Sequence, residues 1–210
     1  AFIVNPHAPS GTLVSQSLIK TIATTFNGLL VIDEAYVDFV LDATHDLTQF
    51  AVEAPNVLLL RTLSKGYGLA GLRFGYGIGC KNIIQPMITK TRDSYNLDAI
   101  SQVLATAAIT DKAYAAGTWA KINTERKNLS NTLMTMGFEV LPSQGNFVLA
   151  TVPTGSQTAE QLFERLKANG ILVRFFNEPR LQDKLRITIG SPEENQRLVT
   201  SLRSLLEKED

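Results

Sequence analysis

The sequence predicts an α/β protein: a mostly parallel sheet with helices on both faces, followed by a small α+β domain. Three short apolar runs, 1–4, 29–32 and 57–60, have the length and composition of buried parallel strands. Helical patterns separate these runs, so we expect the right-handed crossovers of β-α-β units. The order of elements then changes. We therefore expect a large domain over 1–115, and a connecting helix with the small domain over 116–210.

The composition disfavours several classes of protein. Lysines and arginines number 20, as do aspartates and glutamates, so no global field favours nucleic acid or an anionic membrane. No apolar run approaches the roughly 20 residues that span a bilayer. The single cysteine, Cys80, excludes an internal disulfide and fits a reducing compartment, which leads us to expect a cytoplasmic protein.

Capping residues and apolar periodicity delimit the remaining elements. Ser15 can cap a helix that ends at Asn27-Gly28 and whose apolar face comprises Leu18, Ile19, Ile22, Ala23 and Phe26. Further helices are predicted over 44–54, 82–90, 98–110, 112–136 and 159–168. Further strands are predicted over 72–79, 138–141, 146–152, 171–176 and 185–189. The last helix begins at a capping box formed by Ser191 and Glu194.

Lys65 follows the third apolar run and is the strongest candidate for chemistry. Open parallel sheets hold their chemistry beyond the carboxyl ends of the strands, so this lysine should lie at the rim of the sheet. Arg73, eight residues on, carries a guanidinium suited to bidentate phosphate binding. A Schiff-base lysine with hydroxyls and a cation nearby is what pyridoxal phosphate requires. The alternative is a surface lysine in a glycine-rich turn.

Asp33 ends the second apolar run and would lie beside Lys65 if the two strands are neighbours. A carboxylate facing a pyridine nitrogen keeps that ring protonated and makes it an electron sink. Tyr36 could donate a hydrogen bond to the phenolic oxygen of such a ring. The alternatives are a helix cap for Asp33 and core packing for Tyr36, and Glu34 receives no role.

The glycines of 66–71 formally match G-x-G-x-x-G, a dinucleotide-binding pattern. That pattern requires a helix to open at the glycines, whereas the following residues, 72–79, are predicted as a strand. We interpret the glycines as positions where the backbone passes close to a bulky ligand and to Lys65.

Polar residues on the predicted strands of the small domain could bind substrate. Arg174 and Arg186 alternate with apolar neighbours, and an anionic substrate group would give both a partner, with structural salt bridges as the alternative. Asn146 could bind substrate or satisfy a strand end. The two histidines have no partners at metal-ligand spacing, so no metal site is predicted.

Six motifs together resemble the fold-type I, class II aminotransferases, and most closely the histidinol-phosphate aminotransferase family. The resemblance covers essentially all of residues 1–210. The motifs are, in order, Asn-Pro-x-x-Pro-Ser-Gly, Val-Ile-Asp-Glu-Ala-Tyr, Arg-Thr-Leu-Ser-Lys, Gly-Leu-Arg-Phe-Gly, Gly-Asn-Phe and Leu-Arg-Ile-Thr.

This resemblance implies a pyridoxal 5'-phosphate site built on Lys65, which would hold the cofactor as a Schiff base. It implies Asp33 on the pyridine nitrogen and Tyr36 on the phenolic oxygen. The cofactor phosphate would be held by Thr62, Ser64 and Arg73.

The resemblance also implies the reaction, in which an amino group passes between histidinol phosphate and 2-oxoglutarate in histidine biosynthesis. Arg174 and Arg186 match the arginines that hold the phosphorylated amine in this family, and Asn146 lies in the Gly-Asn-Phe motif. Lys65 would carry the proton between the substrate carbon and the cofactor carbon.

Two departures from the family bear on activity. Ala8 stands where the family has an asparagine that contacts the phenolic oxygen. Family members also carry a substantial segment before the opening strand, which supplies further cofactor and substrate contacts across a homodimer. We therefore expect a carboxyl-terminal fragment of an aminotransferase that is weakly active or inactive alone.

Three other functions remain open. A threonine-phosphate decarboxylase and other amino-acid aminotransferases share the fold and motifs, and a non-catalytic assembly module is the candidate from a different class. Retention of Lys65, Asp33, Tyr36 and Arg73 argues against the module, since a scaffold needs none of them.

Overall fold

The computed structural model describes residues 1–91, 96–155 and 157–206, which form two compact units. The first unit comprises Ala1–Ala8 and Thr12–Trp119, and the second comprises Pro9–Gly11 and the chain from Ala120 onward. The helix α5, Lys112–Thr135, continues without a break past 115/116. The domain boundary at that position therefore stays a prediction.

The first unit holds a four-stranded sheet in the spatial order β1-β2-β3-β4. Its strands are β1 (Phe2–Val4), β2 (Leu30–Asp33), β3 (Val57–Thr62) and β4 (Gly75–Ile78). β1, β2 and β3 run parallel, and β4 is antiparallel to β3. The helices are α1 (Gln16–Thr25), α2 (Thr48–Glu53), α3 (Lys81–Lys90), α4 (Ala99–Thr110) and the start of α5. The predicted α/β class is confirmed.

The core of the first unit forms between the sheet and its helices. Ser15 caps α1 as predicted, with its Oγ accepting the N–H of Leu18 at 3.3 Å. The apolar face of α1 is narrower than predicted, because Leu18 and Phe26 are exposed. The buried cluster comprises Ile19, Ala23, Leu30, Ile32, Leu47, Ala51, Ala54, Val57 and Leu59. Each fully buried Leu or Ile in it contributes roughly 1.5–3 kcal/mol.

The second unit is an antiparallel sheet with two further helices. Its strands are β5 (Glu139–Val140), β6 (Phe147–Thr151), β7 (Arg174–Phe175) and β8 (Lys184–Thr188), in the spatial order β5-β6-β8-β7. Its helices are α6 (Ala159–Ala168) and α7 (Pro192–Leu206). The predicted capping box of α7 is confirmed by two hydrogen bonds between Ser191 and Glu194, of 2.8 and 3.2 Å.

Several predicted strands are shorter in the structure, and the largest differences are at 72–79 and 171–176. The strand predicted over 72–79 begins only at Gly75, because Ala70–Leu72 forms a 3₁₀ turn and Arg73 adopts φ +54°. The strand predicted over 171–176 reduces to β7. No α-helix opens at the glycines of 66–71, all of which are described, and the only helical feature there is the 3₁₀ turn at Ala70–Leu72. None of the described helices is long and apolar enough to cross a bilayer.

Candidate active site

The carboxyl ends of β2 and β3 lie at the same edge of the sheet and begin the candidate site. β2 ends at Asp33, which is level with Leu60, and β3 ends at Thr62. β4 starts at this edge, because Gly75 pairs with Thr62. Side chains that follow β2 or β3, or that precede β4, therefore gather where parallel sheets hold their chemistry.

Lys65 lies three residues beyond the end of β3 and is exposed. Its Nζ is 5.8 Å from the centroid of the Tyr36 ring, within the range of a cation–π interaction. Within residues 1–91, 96–155 and 157–206, no carboxylate forms an ion pair with this amine. The amine thus stands beside an aromatic ring without a neutralising charge.

Asp33 holds the turn that follows β2 and does not cap the next helical turn, Val37–Phe39, which has Tyr36 at its N-cap. Its Oδ1 accepts a hydrogen bond from the N–H of Ala35 at 3.0 Å. The other carboxylate oxygen accepts none from the residues that the structure describes. The carboxylate can therefore hold the turn after β2 and accept a hydrogen bond from a ligand at the same time.

Thr62 and Ser64 form a pair of hydroxyls at the start of the loop that carries Lys65. Their oxygens are 3.0 Å apart, and the Ser64 N–H donates to Thr62 Oγ1 at 3.1 Å. The Thr62 hydroxyl also lies 3.0 Å from the carbonyl oxygen of Phe74. Because a hydroxyl has one proton, Thr62 serves one of its two acceptors at a time, and Ser64 retains its own proton for a further acceptor.

Arg73 closes the same loop in a left-handed conformation, with φ +54°. Its guanidinium is exposed, and Nη1 donates to the carbonyl oxygen of Ala70 at 3.0 Å. No carboxylate among the described residues pairs with it. Most of its donors therefore remain for an anion, and a guanidinium binds phosphate well in a bidentate manner.

Glu34 and Arg61 form a buried ion pair that sequence reasoning missed. Arg61 Nε and Nη2 each lie 2.8 Å from Glu34 Oε2, and the Glu34 side chain is fully buried. Burial raises the pKa of the Glu34 carboxyl, although the Arg61 guanidinium opposes this change. The signal was present in the strand register: Asp33 is level with Leu60, so the next residue on each strand carries an opposite charge.

Asp38 is a second carboxylate near this pair, on the short 3₁₀ turn Val37–Phe39. Burial raises its pKa to about 6, with Arg61 opposing the change and Glu34 adding to it. Burial also raises the pKa of Tyr67 and of Tyr76, and Asp38 adds to both. Tyr67, two residues after Lys65, therefore lies near a group of titratable side chains that includes Asp38 and Tyr76.

The second unit brings two of its three predicted site residues together. Arg174 on β7 is directly level with Arg186 on β8. Both guanidinium carbons lie near the Phe176 ring, 5.4 and 5.7 Å from its centroid, and Arg186 is 5.3 Å from that of Phe147. No described carboxylate pairs with either arginine, so the alternative of structural salt bridges is not observed within 1–91, 96–155 and 157–206.

Asn146 lies at a strand end, where its backbone is paired, and the role of its side chain stays a prediction. Its backbone carbonyl accepts the N–H of Ile189 at 2.9 Å, just before β6 begins at Phe147. Six of the predicted site residues thus lie at one edge of the sheet in the first unit: Asp33, Tyr36, Thr62, Ser64, Lys65 and Arg73. The other three belong to the second unit.

Comparisons with known proteins give the chain a family. The family model described as "Aminotransferase class I and II" matches residues 2–202. Histidinol-phosphate aminotransferase 1 of Trichormus variabilis is 48% identical over 205 residues, which is 98% of this chain and 57% of the relative. The chain thus spans little more than half the length of the curated relatives that it matches.

Solved structures agree on the fold. Histidinol-phosphate aminotransferase from Sinorhizobium meliloti, in complex with pyridoxal-5'-phosphate, superposes with a TM-score of 0.90 at 28% identity, over 98% of this chain and 56% of that one. L-threonine-O-3-phosphate decarboxylase from Porphyromonas gingivalis gives 0.78 at 24% identity, over 99% and 64%, and shows the fold alone. On the match to residues 2–202, this chain belongs to the family of class I and II aminotransferases.

Proposed function

We propose that this chain is the part of a pyridoxal-phosphate-dependent aminotransferase that carries the cofactor lysine. One observation supports this most directly: Lys65 is exposed and without a carboxylate partner in the described part of the chain, at the edge where β2 ends in Asp33. The proposed reaction exchanges an amino group between histidinol phosphate and 2-oxoglutarate. The names of relatives up to 48% identical support this choice of substrate.

The residues at this edge fit pyridoxal phosphate by the chemistry of their donors. The edge offers an amine for the aldehyde and a carboxylate with a spare oxygen for the ring nitrogen. It offers a phenol for the phenolic oxygen, and two hydroxyls and an exposed guanidinium for the phosphate. The asparagine that Ala8 replaces has no substitute in Asn5, which is buried and exchanges two hydrogen bonds with the backbone of Val14, of 2.7 and 3.2 Å. Tyr36 is then the residue proposed to face the phenolic oxygen.

Each residue has a defined task in this proposal. Lys65 Nζ binds the cofactor covalently and, once released by the substrate amine, takes up and returns a proton at that nitrogen. Asp33 holds the ring nitrogen protonated through its spare oxygen. Ser64, Thr62 and Arg73 bind the phosphate. The cofactor, when bound, supplies the electron sink for the bond broken at the substrate carbon.

Arg174 and Arg186 are proposed to bind the phosphate of the amine substrate. Two adjacent guanidinium groups without a described carboxylate partner suit a dianion, and the flanking aromatic rings restrict their motion. The same arginines could bind a carboxylate of 2-oxoglutarate in the second half of the reaction.

The activity of the whole protein is part of the same proposal. We infer a homodimeric cytoplasmic parent, of which this chain alone is weakly active or inactive. The chain spans 57% of its relative in Trichormus variabilis, which supports this part of the proposal.

The experiment that tests the proposed function uses the full-length parent with histidinol phosphate and 2-oxoglutarate. We expect glutamate to form without release of carbon dioxide, and Lys65→Ala to reduce the rate by at least about a thousandfold, since the residue that binds the cofactor and moves the proton is lost. Lys127→Ala, which removes an exposed lysine from α5 instead, serves as the matched control and should retain the activity. Full activity in Lys65→Ala would overturn the assignment, and carbon dioxide release would indicate a decarboxylase.

A further inference from the structure

Gly66, the residue directly after Lys65, is constrained by one hydrogen bond and by the close approach of one side chain. The indole N–H of Trp119, on α5, donates to the Gly66 carbonyl oxygen at 2.7 Å. A Cβ built at Gly66 would overlap the carboxylate of Asp38, so this position accepts only glycine unless Asp38 moves. Gly66 is also buried, although Lys65 is exposed.

Trp119 also contacts the next residue of the same turn. The Tyr67 ring meets the indole edge-on, with ring centroids 5.6 Å apart and planes at 87°. The turn closes with two further bonds, from the Gly68 N–H to the Lys65 carbonyl at 3.2 Å and from the Leu69 N–H to the Leu63 carbonyl at 3.0 Å. One side chain far along the chain thus contacts two consecutive residues of the turn that carries the lysine.

We propose that Trp119 is a positioning residue for Lys65: its indole N–H fixes the Gly66 carbonyl and so holds the backbone from which the lysine amine extends. The amine lies 5.8 Å from the centroid of the Tyr36 ring and forms no ion pair with a described carboxylate, so we infer that its location depends on that backbone. An indole has a donor and no acceptor, which makes the bond to Gly66 the one polar task that this side chain can perform. The catalytic importance of this contact rests on the proposed function.

Hydrogen exchange of the 210-residue chain tests the inference without any cofactor. Trp119→Phe keeps an aromatic ring against Tyr67 but removes the N–H. We expect the Gly68 and Leu69 amides to exchange about fivefold faster, the fold-change that corresponds to about 1 kcal/mol for one hydrogen bond. The amide of Glu34, which donates to Leu60 across β2 and β3, should keep its rate.

Tyr114→Phe is the matched control, since it removes one polar group from an exposed aromatic residue on the same helix. It should leave the exchange of Gly68 and Leu69 unchanged. Unchanged rates in Trp119→Phe would overturn the inference, because the indole N–H would then not stabilise the turn. An equal increase at all amides would also overturn it, because Trp119 would then stabilise the whole fold by packing.

The wild-type chain supplies a measurement that does not depend on a variant folding. Trp119 is the only tryptophan, so its indole N–H gives one resonance. Protection of that proton from solvent exchange is expected, and an unprotected proton would overturn the inference.

A third readout separates this inference from the proposed function. After borohydride reduction with pyridoxal phosphate, we expect the adduct at Lys65 to fall about fivefold in Trp119→Phe and to persist in Tyr114→Phe. An undiminished adduct would overturn the inference. No adduct in the wild-type chain would contradict the proposed function for this chain, and the exchange rates alone would then decide the role of Trp119.

Discussion

Asp38 is a residue whose surroundings set its charge. Burial raises the pKa of its carboxyl from 3.8 to about 6, and the Arg61 guanidinium only partly opposes this change. The folded chain therefore binds a proton at Asp38 more tightly than the unfolded chain does. It follows that ionised Asp38 lowers the stability of the fold at neutral pH.

Replacement of Asp38 by asparagine should reveal this effect as a dependence on pH. Well below pH 3.8 the carboxyl is protonated in both states, and the variant and wild type should have similar free energies of unfolding. As the pH rises through 4 to 6, wild type should lose roughly 1–3 kcal/mol relative to Asp38→Asn, and the difference should then stay constant. Urea denaturation across this pH range measures it.

Glu139→Gln is the control for this prediction, because Glu139 is an exposed carboxylate on β5. Its stability relative to wild type should change little between pH 4 and 8. A difference for Asp38→Asn that is the same at every pH would contradict the account of Asp38.

At the scale of residues, the sequence is enough to locate side chains that follow the end of a predicted strand. Lys65 and Asp33 each lie just after an apolar run, so both could be placed at the rim of the sheet. Glu34, Asp38 and Trp119 could not be understood in this way. Each of them contacts a residue far along the chain. Strand register brings Glu34 to Arg61, and the lysine turn brings Gly66 to Asp38 and to Trp119 on α5.

At the scale of elements, the Glu34–Arg61 pair joins the ends of β2 and β3. Arg61→Leu should lower the free energy of unfolding by about 3–5 kcal/mol, because it leaves the fully buried Glu34 carboxylate without its cation. Urea denaturation at pH 7 measures this loss. Combining it with Glu34→Leu should recover most of the stability, since both charges are then removed.

Arg73→Leu is the matched control for the ion pair. It removes an exposed guanidinium from the same loop, whose one described hydrogen bond is to Ala70. Its effect on stability should stay within about 0.5 kcal/mol. Equal losses in Arg61→Leu and Arg73→Leu would contradict the role given to the buried pair.

Element boundaries could be predicted where their signals are local. Ser15 and Ser191 each cap a helix as predicted, through a side-chain oxygen that accepts an N–H three residues further on. The late start of β4 could not be predicted, because it depends on the left-handed conformation of Arg73, a residue type that seldom adopts it. The length of β7 could not be predicted either, because only the two residues that pair with β8 form the strand, although the apolar run is longer.

At the scale of the whole molecule, the family could be predicted because each of its motifs is a short run of consecutive residues. The six motifs also follow one another in the order that the resemblance implies. The match to the class I and II aminotransferases over residues 2–202 confirms that prediction. The roles of the nine site residues stay predictions, and all of them depend on Lys65 being the residue that binds the cofactor.

Borohydride reduction of the 210-residue chain with pyridoxal phosphate tests that claim most directly. Mass spectrometry then maps the reduced adduct, with Lys65→Arg as a control that keeps the charge but cannot form the Schiff base. The account predicts an adduct confined to Lys65 and absent from the control. Labelling scattered over surface lysines, or equal labelling of Lys65→Arg, would contradict it.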